Sequence, residues 1–144
     1  MAQAPAAAVA PAAAAAIPVA IAHTIGPDNR LHAEGLPDVD RNCAIAMHLS
    51  PFSFVWIGPL AMAIPLIIWA ARRSRTAFHD DHGREITNFM ISFLVMHVLL
   101  AITFIGIPLI PVYWVVNAIS LVRGAIAAGK GEYFRYPVTI RFLK

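Results

Sequence analysis

Two long runs without charge constrain this chain more than any other feature. From Asn42 to Ala71 there is no Asp, Glu, Lys or Arg over 30 positions, and from Ile86 to Val122 there is none over 37. Roughly 20 apolar residues, rising about 1.5 Å each, cross a hydrocarbon core of about 30 Å. The longer run therefore has room for two crossings. The shorter one has room for a single generous crossing or a tight hairpin. Composition agrees: 59% of residues are hydrophobic and 13% charged, against about 45–50% and about 25% in an average soluble domain. The class is all-α, an integral membrane helical bundle of three to four segments.

The remaining composition mostly excludes. A single cysteine, Cys43, rules out an internal disulfide framework or a Cys-rich metal site. The net charge of +3 reports orientation before it reports any nucleic-acid partner, since Lys and Arg placement sets topology in membrane proteins. Residues 1–37 read as a disordered, Ala/Pro-rich low-complexity tail ending in GPDNRLHAEGLPD, with no helical or strand period. No basic residue precedes Arg30, and prolines at 5, 11 and 18 interrupt the apolar stretch. A cleaved secretory signal is therefore not expected.

The membrane domain, 38–144, divides into segments at about 40–55, 59–72, 84–105 and 108–128. Asp38 or Asp40 offers an N-cap for a helix starting near Arg41. Ser50-Pro51 and Gly58-Pro59 interrupt the first run, because proline lacks an N–H and pushes the preceding residue out of helical geometry. One kinked span and a hairpin broken at Gly58-Pro59 are both open. Thirty uncharged residues make a rod of about 45 Å, too long for an untilted span, which favours the hairpin. Asp81 is expected to cap the third helix, with Glu85 in its first turn favourable to the helix dipole. Gly106-Ile107-Pro108 marks the next turn, and Gly129 and Gly131 the last stop.

Four basic residues fall in 72–85, five in 123–144 and none in 106–111. That asymmetry places the loop and the C-terminus on the cytoplasmic side of the membrane. Charge counting leaves the side of the N-terminus ambiguous, and a hairpin would keep it cytoplasmic.

His79-Asp80-Asp81-His82 packs four potential metal ligands into four positions. Neighbours on a helix start point in different directions, so a solvated capping loop is the better reading. His48 and His97 lie in apolar runs and in principle offer a haem pair. Neither sits in a ligand motif, and neutral histidines bonded between helices are the plainer expectation. No triad, nucleotide loop or paired carboxylate suggests an enzyme, and no catalytic, cofactor or metal residues are assigned.

Packing is better marked. Asn88 and Ser92 are one turn apart, as are Ser120, Gly124 and Ala128. Small residues at this spacing let membrane helices approach, and Asn and Ser bond across the contact. Phe52, Trp56, Trp69, Tyr113, Trp114, Tyr133, Phe134 and Tyr136 are expected at the lipid headgroups.

Several motifs resemble a bacterial family: His48-Leu49-Ser50, Gly58-Pro59-Leu60, Pro65 to Trp69, Asp81-His82-Gly83-Arg84-Glu85-Ile86-Thr87-Asn88-Phe89, and above all the closing Gly131 to Phe142. Together they resemble the Tic-twenty-like membrane proteins, related to a chloroplast inner-envelope import component, over about 38–144. The resemblance implies four helical segments with both ends cytoplasmic, and no catalytic residues. Its loop and tail motif here comprises Asp81, Gly83, Arg84, Glu85, Arg135, Tyr136, Pro137 and Arg141. These residues either hold the fold, with Glu85 ion-paired to a tail arginine, or form a docking surface.

The leading functional expectation is an accessory or assembly subunit of a larger membrane complex, with the lipid bilayer and other membrane subunits as partners. The alternatives are a pore or transport component similar to the import family and, more distantly, a haem or quinone-binding redox subunit.

Overall fold

Gly58 turns the first apolar run back on itself. The computed structural model describes residues 21–27 and 29–144, so the first 20 residues of the tail proposed for 1–37 lie outside the described part. Helix α1 (Asp38–Leu49) passes through a 3-10 turn at Ser50–Ser53 into the short α2 (Phe54–Ile57). A second 3-10 turn, Gly58–Met62, leads to α3 (Ala63–Arg72). Both Ser50-Pro51 and Gly58-Pro59 open 3-10 turns, and Gly58 adopts φ 57°, ψ −143°, a conformation glycine reaches without Cβ strain. The ends of the run then meet. Arg72 Nη1 donates to the Cys43 sulfur at 2.9 Å, and Arg72 Nη2 lies 4.0 Å from the Asp40 carboxylate. By length and composition Asp38–Arg72 is long enough to cross a membrane as one rod, but these contacts make it a hairpin.

The second hairpin joins α4 (Ala77–Ala101), a 3-10 turn at Ile107–Leu109 and α5 (Ile110–Gly129). Among the described residues, Asp38–Arg72, Ala77–Ala101 and Ile107–Gly129 are the three helical stretches long and apolar enough to span a bilayer. Ile102, Phe104 and Ile105 at the second tip, and Val55, Trp56 and Leu60 at the first, are highly exposed. Water makes such apolar tips costly and lipid does not. The chain is a multi-pass membrane protein.

The opposite end is built differently. Ala44 and Met47 of α1, Phe78 and Ile86 of α4, and Ala127 and Ala128 of α5 are nearly or wholly buried there. Burial of a side chain such as Phe78 or Ile86 contributes about 1.5–3 kcal/mol. A two-stranded antiparallel hairpin, β1 (Ala22–Ile25) and β2 (Leu31–Glu34), lies over this base, with Ala22 opposite Glu34. It is held by the tail: Ala33 N donates to Gly131 O at 2.9 Å and Tyr133 N to Leu31 O at 3.0 Å. The expectation of no strand in 1–37 is therefore corrected. These four-residue strands carry little periodicity; they pair with each other, and β2 also with residues 131–133.

Helix boundaries also shift. Helix α4 starts at Ala77, capped by Thr76 Oγ1, which accepts from His79 N at 3.1 Å. Asp81 is therefore not its cap. The segment expected to be a solvated loop is helical because its polar groups all turn inward or find partners. Asp38 and Asp40 likewise lie in the first turn of α1, not at its cap, which is Pro37.

Candidate functional site

One face of α4 carries Glu85, Asn88 and Ser92, spaced so that all three meet the same neighbour. That neighbour is the irregular segment after Gly131. Glu85 Oε1 accepts the Tyr136 N–H at 2.9 Å. Ser92 Oγ accepts the Ile140 N–H at 2.9 Å. Asn88 Oδ1 accepts the N–H groups of Phe142 and Leu143 at 3.0 and 2.8 Å, while its Nδ2 donates to Leu143 O at 2.9 Å. An extended segment has no internal partners for its backbone, and unpaired groups away from water cost about 1–3 kcal/mol each. The α4 stripe supplies those partners. Asn88 and Ser92 thus bond the tail, not another helix, as their spacing had suggested.

Ion pairs frame the stripe. Glu85 Oε1 pairs with Arg141 Nη2 at 3.2 Å. Arg135 grips Asp81 with both Nη atoms, at 2.5 and 2.6 Å. That bond, ahead of the opposing effect of burial, pushes the Arg135 guanidinium above its ordinary value. Arg84 reaches Asp80 at 2.6 Å and also donates to the Lys144 carbonyl. Asp80 in turn accepts the Trp69 indole N–H at 2.9 Å, and that indole packs against Gly83, where any Cβ would collide with the ring. Pro137 sits exposed in the turn ahead of Val138.

Beneath the stripe runs a line of buried hydrogen bonds. The Tyr136 hydroxyl meets His48 Nδ1 at 2.6 Å, His48 Nε2 meets His82 Nδ1 at 2.7 Å, and His82 Nε2 meets the Glu132 carbonyl at 3.1 Å. Both histidines are fully buried and Tyr136 nearly so. Burial, then the Glu85 charge, drives the Tyr136 phenol well above its ordinary value; burial, then the Asp81 charge, raises Tyr133. Gly124 lets this line form: a Cβ there would stand 2.9 Å from His48 Nδ1 and 3.1 Å from the Tyr136 oxygen. Ala128 is buried in the core, and Ser120 Oγ donates to Val116 O within its own helix.

Other expectations separate. His48 and His97 do not face one another, for His97 Nδ1 takes the Trp114 N–H at 3.3 Å. Asp80, Asp81 and His82 diverge to different partners, and among the described residues no group of three or more His, Cys, Asp or Glu could hold a metal. Phe134 and Tyr136 pack into the base, 5% and 2% exposed, in place of the headgroup position expected for them. Sequence reasoning missed the His48–His82 contact and the part of Glu132, which lie 34 and 50 residues from their partners. The only prior signal was a histidine inside an apolar run.

Two apolar hairpins rising from a base locked by its own tail define a small multi-pass helical membrane protein. The chain belongs to the MamF/MmsF family, the magnetosome magnetite crystal formation protein family, whose model matches residues 39–143. No curated protein and no solved structure matches it. The match corrects the Tic-twenty-like resemblance. The motifs that suggested it, 81–89 and 131–142, lie inside the matched region and are the residues that pair α4 with the tail. Short polar motifs serving such a contact are a poor guide to family. The protein-import and transport reading falls with the resemblance.

Proposed function

We propose that this chain is an accessory subunit of the membrane that surrounds growing magnetite, acting by packing against other proteins of that membrane and not by catalysis. The family match carries the reading, because it takes in both apolar hairpins and the tail-locked base together. The chemistry of the base supports it: Glu85, Asp81 and Tyr136 are engaged in holding the tail. The exposed apolar faces of α4 and α5, including Leu94, Val98, Val115 and Ile119, offer lipid or neighbouring helices the same kind of contact.

In this reading the loop with Arg73 and Arg75 and the tail with Arg135 and Arg141 lie on the cytoplasmic side, following the positive-inside rule. The test is a deletion strain of a magnetite-forming bacterium, complemented with a tagged copy of the chain. Crystals altered in size or number in the deletion, restored by the copy, together with stoichiometric membrane partners in mild detergent, are expected. Unchanged crystals and a partnerless protein would overturn the proposal.

A further inference from the structure

The line from Tyr136 to Glu132 has a proton count that leaves no spare place. A carbonyl only accepts, so His82 Nε2 must carry its proton toward Glu132. In a neutral ring, His82 Nδ1 then accepts from His48 Nε2, which leaves His48 Nδ1 to accept from the Tyr136 hydroxyl. Three gaps hold three protons, and every bond points the same way. A fourth proton on either ring sets two donors against each other in one gap, unless the Tyr136 hydroxyl turns away. Among the described residues the hydroxyl's hydrogen-bond partner is His48.

We infer that His48, His82, Tyr136 and the Glu132 carbonyl form a proton-sensitive clasp, which opens at Tyr136 when the histidine pair takes up a proton and so loosens the tail from α4. Histidine is the side chain whose charge ordinarily changes between pH 5 and 8.

The surrounding charges neither supply nor replace that proton. On α4, Asp81 faces His82 but is matched by both Nη atoms of Arg135 from the tail. Glu85 faces Tyr136 and is matched by Arg141. The Glu132 carboxylate turns to Arg30 at 2.9 Å and Lys130 at 3.7 Å, so only its carbonyl joins the line. His79 stands one turn from His82, toward Asp40 of α1 and Arg72 of α3, and Tyr133 stacks on the His82 ring from the tail side. From β2, His32 lies opposite Glu132. Helix α5 presents Gly124, which has no side chain to offer. On α1 itself, the adjoining Ala44 and Met47 are uncharged.

The clasp closes when the pair is neutral and the tail is docked, and opening takes up one proton. The docked state is therefore complete at the higher pH and is lost as pH falls, with the open fraction rising about tenfold per pH unit once titration begins. The experiment uses the full chain in lipid nanodiscs, with Cys43→Ser and a nitroxide attached to Val138→Cys. Val138 is 92% exposed, so the label displaces nothing. Spin-label mobility read from pH 8 down to pH 3 is expected to rise steeply with acid. A His48→Gln/His82→Gln variant, which keeps donors and acceptors but cannot titrate, is expected to give a flat profile. If that variant does not fold, nitrogen NMR of the labelled histidines in the otherwise unchanged chain decides. Ring nitrogens that gain a proton together with the mobility change support the clasp. A mobility independent of pH, or one that changes while the ring nitrogens keep their protonation, overturns it.

Discussion

The carboxylate of Glu85 holds the backbone N–H of Tyr136 at 2.9 Å across 51 residues of sequence, and the same carboxylate pairs with Arg141. A 4% exposed acid is thus shared between a main-chain donor and a half-exposed arginine. Glu85→Gln keeps an acceptor for Tyr136 but removes the charge that Arg141 meets. Hydrogen bonds to charged groups contribute about 1.5–3 kcal/mol, less here because Arg141 remains partly in solvent. Limited proteolysis should cut the variant after Gly131 faster than the parent. Equal rates would mean that the other anchors hold the tail alone.

Asn88→Ala removes three bonds to the tail backbone at once. At about 1 kcal/mol each, with unpaired N–H groups left behind, the loss is about 2–4 kcal/mol. Thermal unfolding in detergent should place Asn88→Ala below Ser92→Ala. The reverse order would show that the tail beyond Ile140 contributes little.

Gly124→Leu is expected to be more damaging than Leu121→Ala. Leu121 lines a cavity of about 320 Å3 between the first hairpin tip and α4 and α5, so shortening it costs about 2 kcal/mol, near the low end for such changes. A side chain at Gly124 instead enters the His48–Tyr136 contact. Size-exclusion profiles and melting of the two variants test the order, and a parent-like Gly124→Leu would refute it.

Tyr136 gives the base an alkaline limit. Its phenol is raised in the fold by burial and by Glu85, whereas in an unfolded chain it ionises near pH 10. A group raised on folding contributes its full stability below the unfolded value and loses it as pH climbs toward the folded one. Ultraviolet difference spectra should show one tyrosine silent above pH 10 until the protein unfolds. Tyr136→Phe should remove this alkaline loss, while being less stable at neutral pH for want of the His48 bond.

The first hairpin puts β1 and the tail at the same end of the molecule. With Cys43→Ser as background, Thr24→Cys and Lys144→Cys should behave alike toward an impermeant thiol reagent, unlabelled in intact cells and labelled after lysis. Phe104→Cys, in the apolar far tip, should resist the reagent both before and after lysis. Labelling of Thr24→Cys alone in intact cells would mean that the first run crosses once.

The helical membrane class was legible because lipid imposes it: uncharged runs of 30 and 37 residues admit little else. The breaks at Ser50-Pro51 and Gly58-Pro59 were legible too, since proline and glycine act through their own backbone. The start of α4 was not. Asp80 and Asp81 resemble a capping loop until Trp69, Arg84 and Arg135 are known to engage them.

The asymmetry follows from what each choice depends on. Spans, turns and basic ends are set by residues within a few positions of one another, so the sequence by itself determined a multi-pass helical protein with its charges at one end. Which way the first run goes after Gly58, and what Asn88, Ser92 and His48 touch, depends on groups 29 to 88 residues apart. No periodicity records such pairings. Only the tertiary structure decided them, because a buried polar group must find its partner wherever packing happens to bring one.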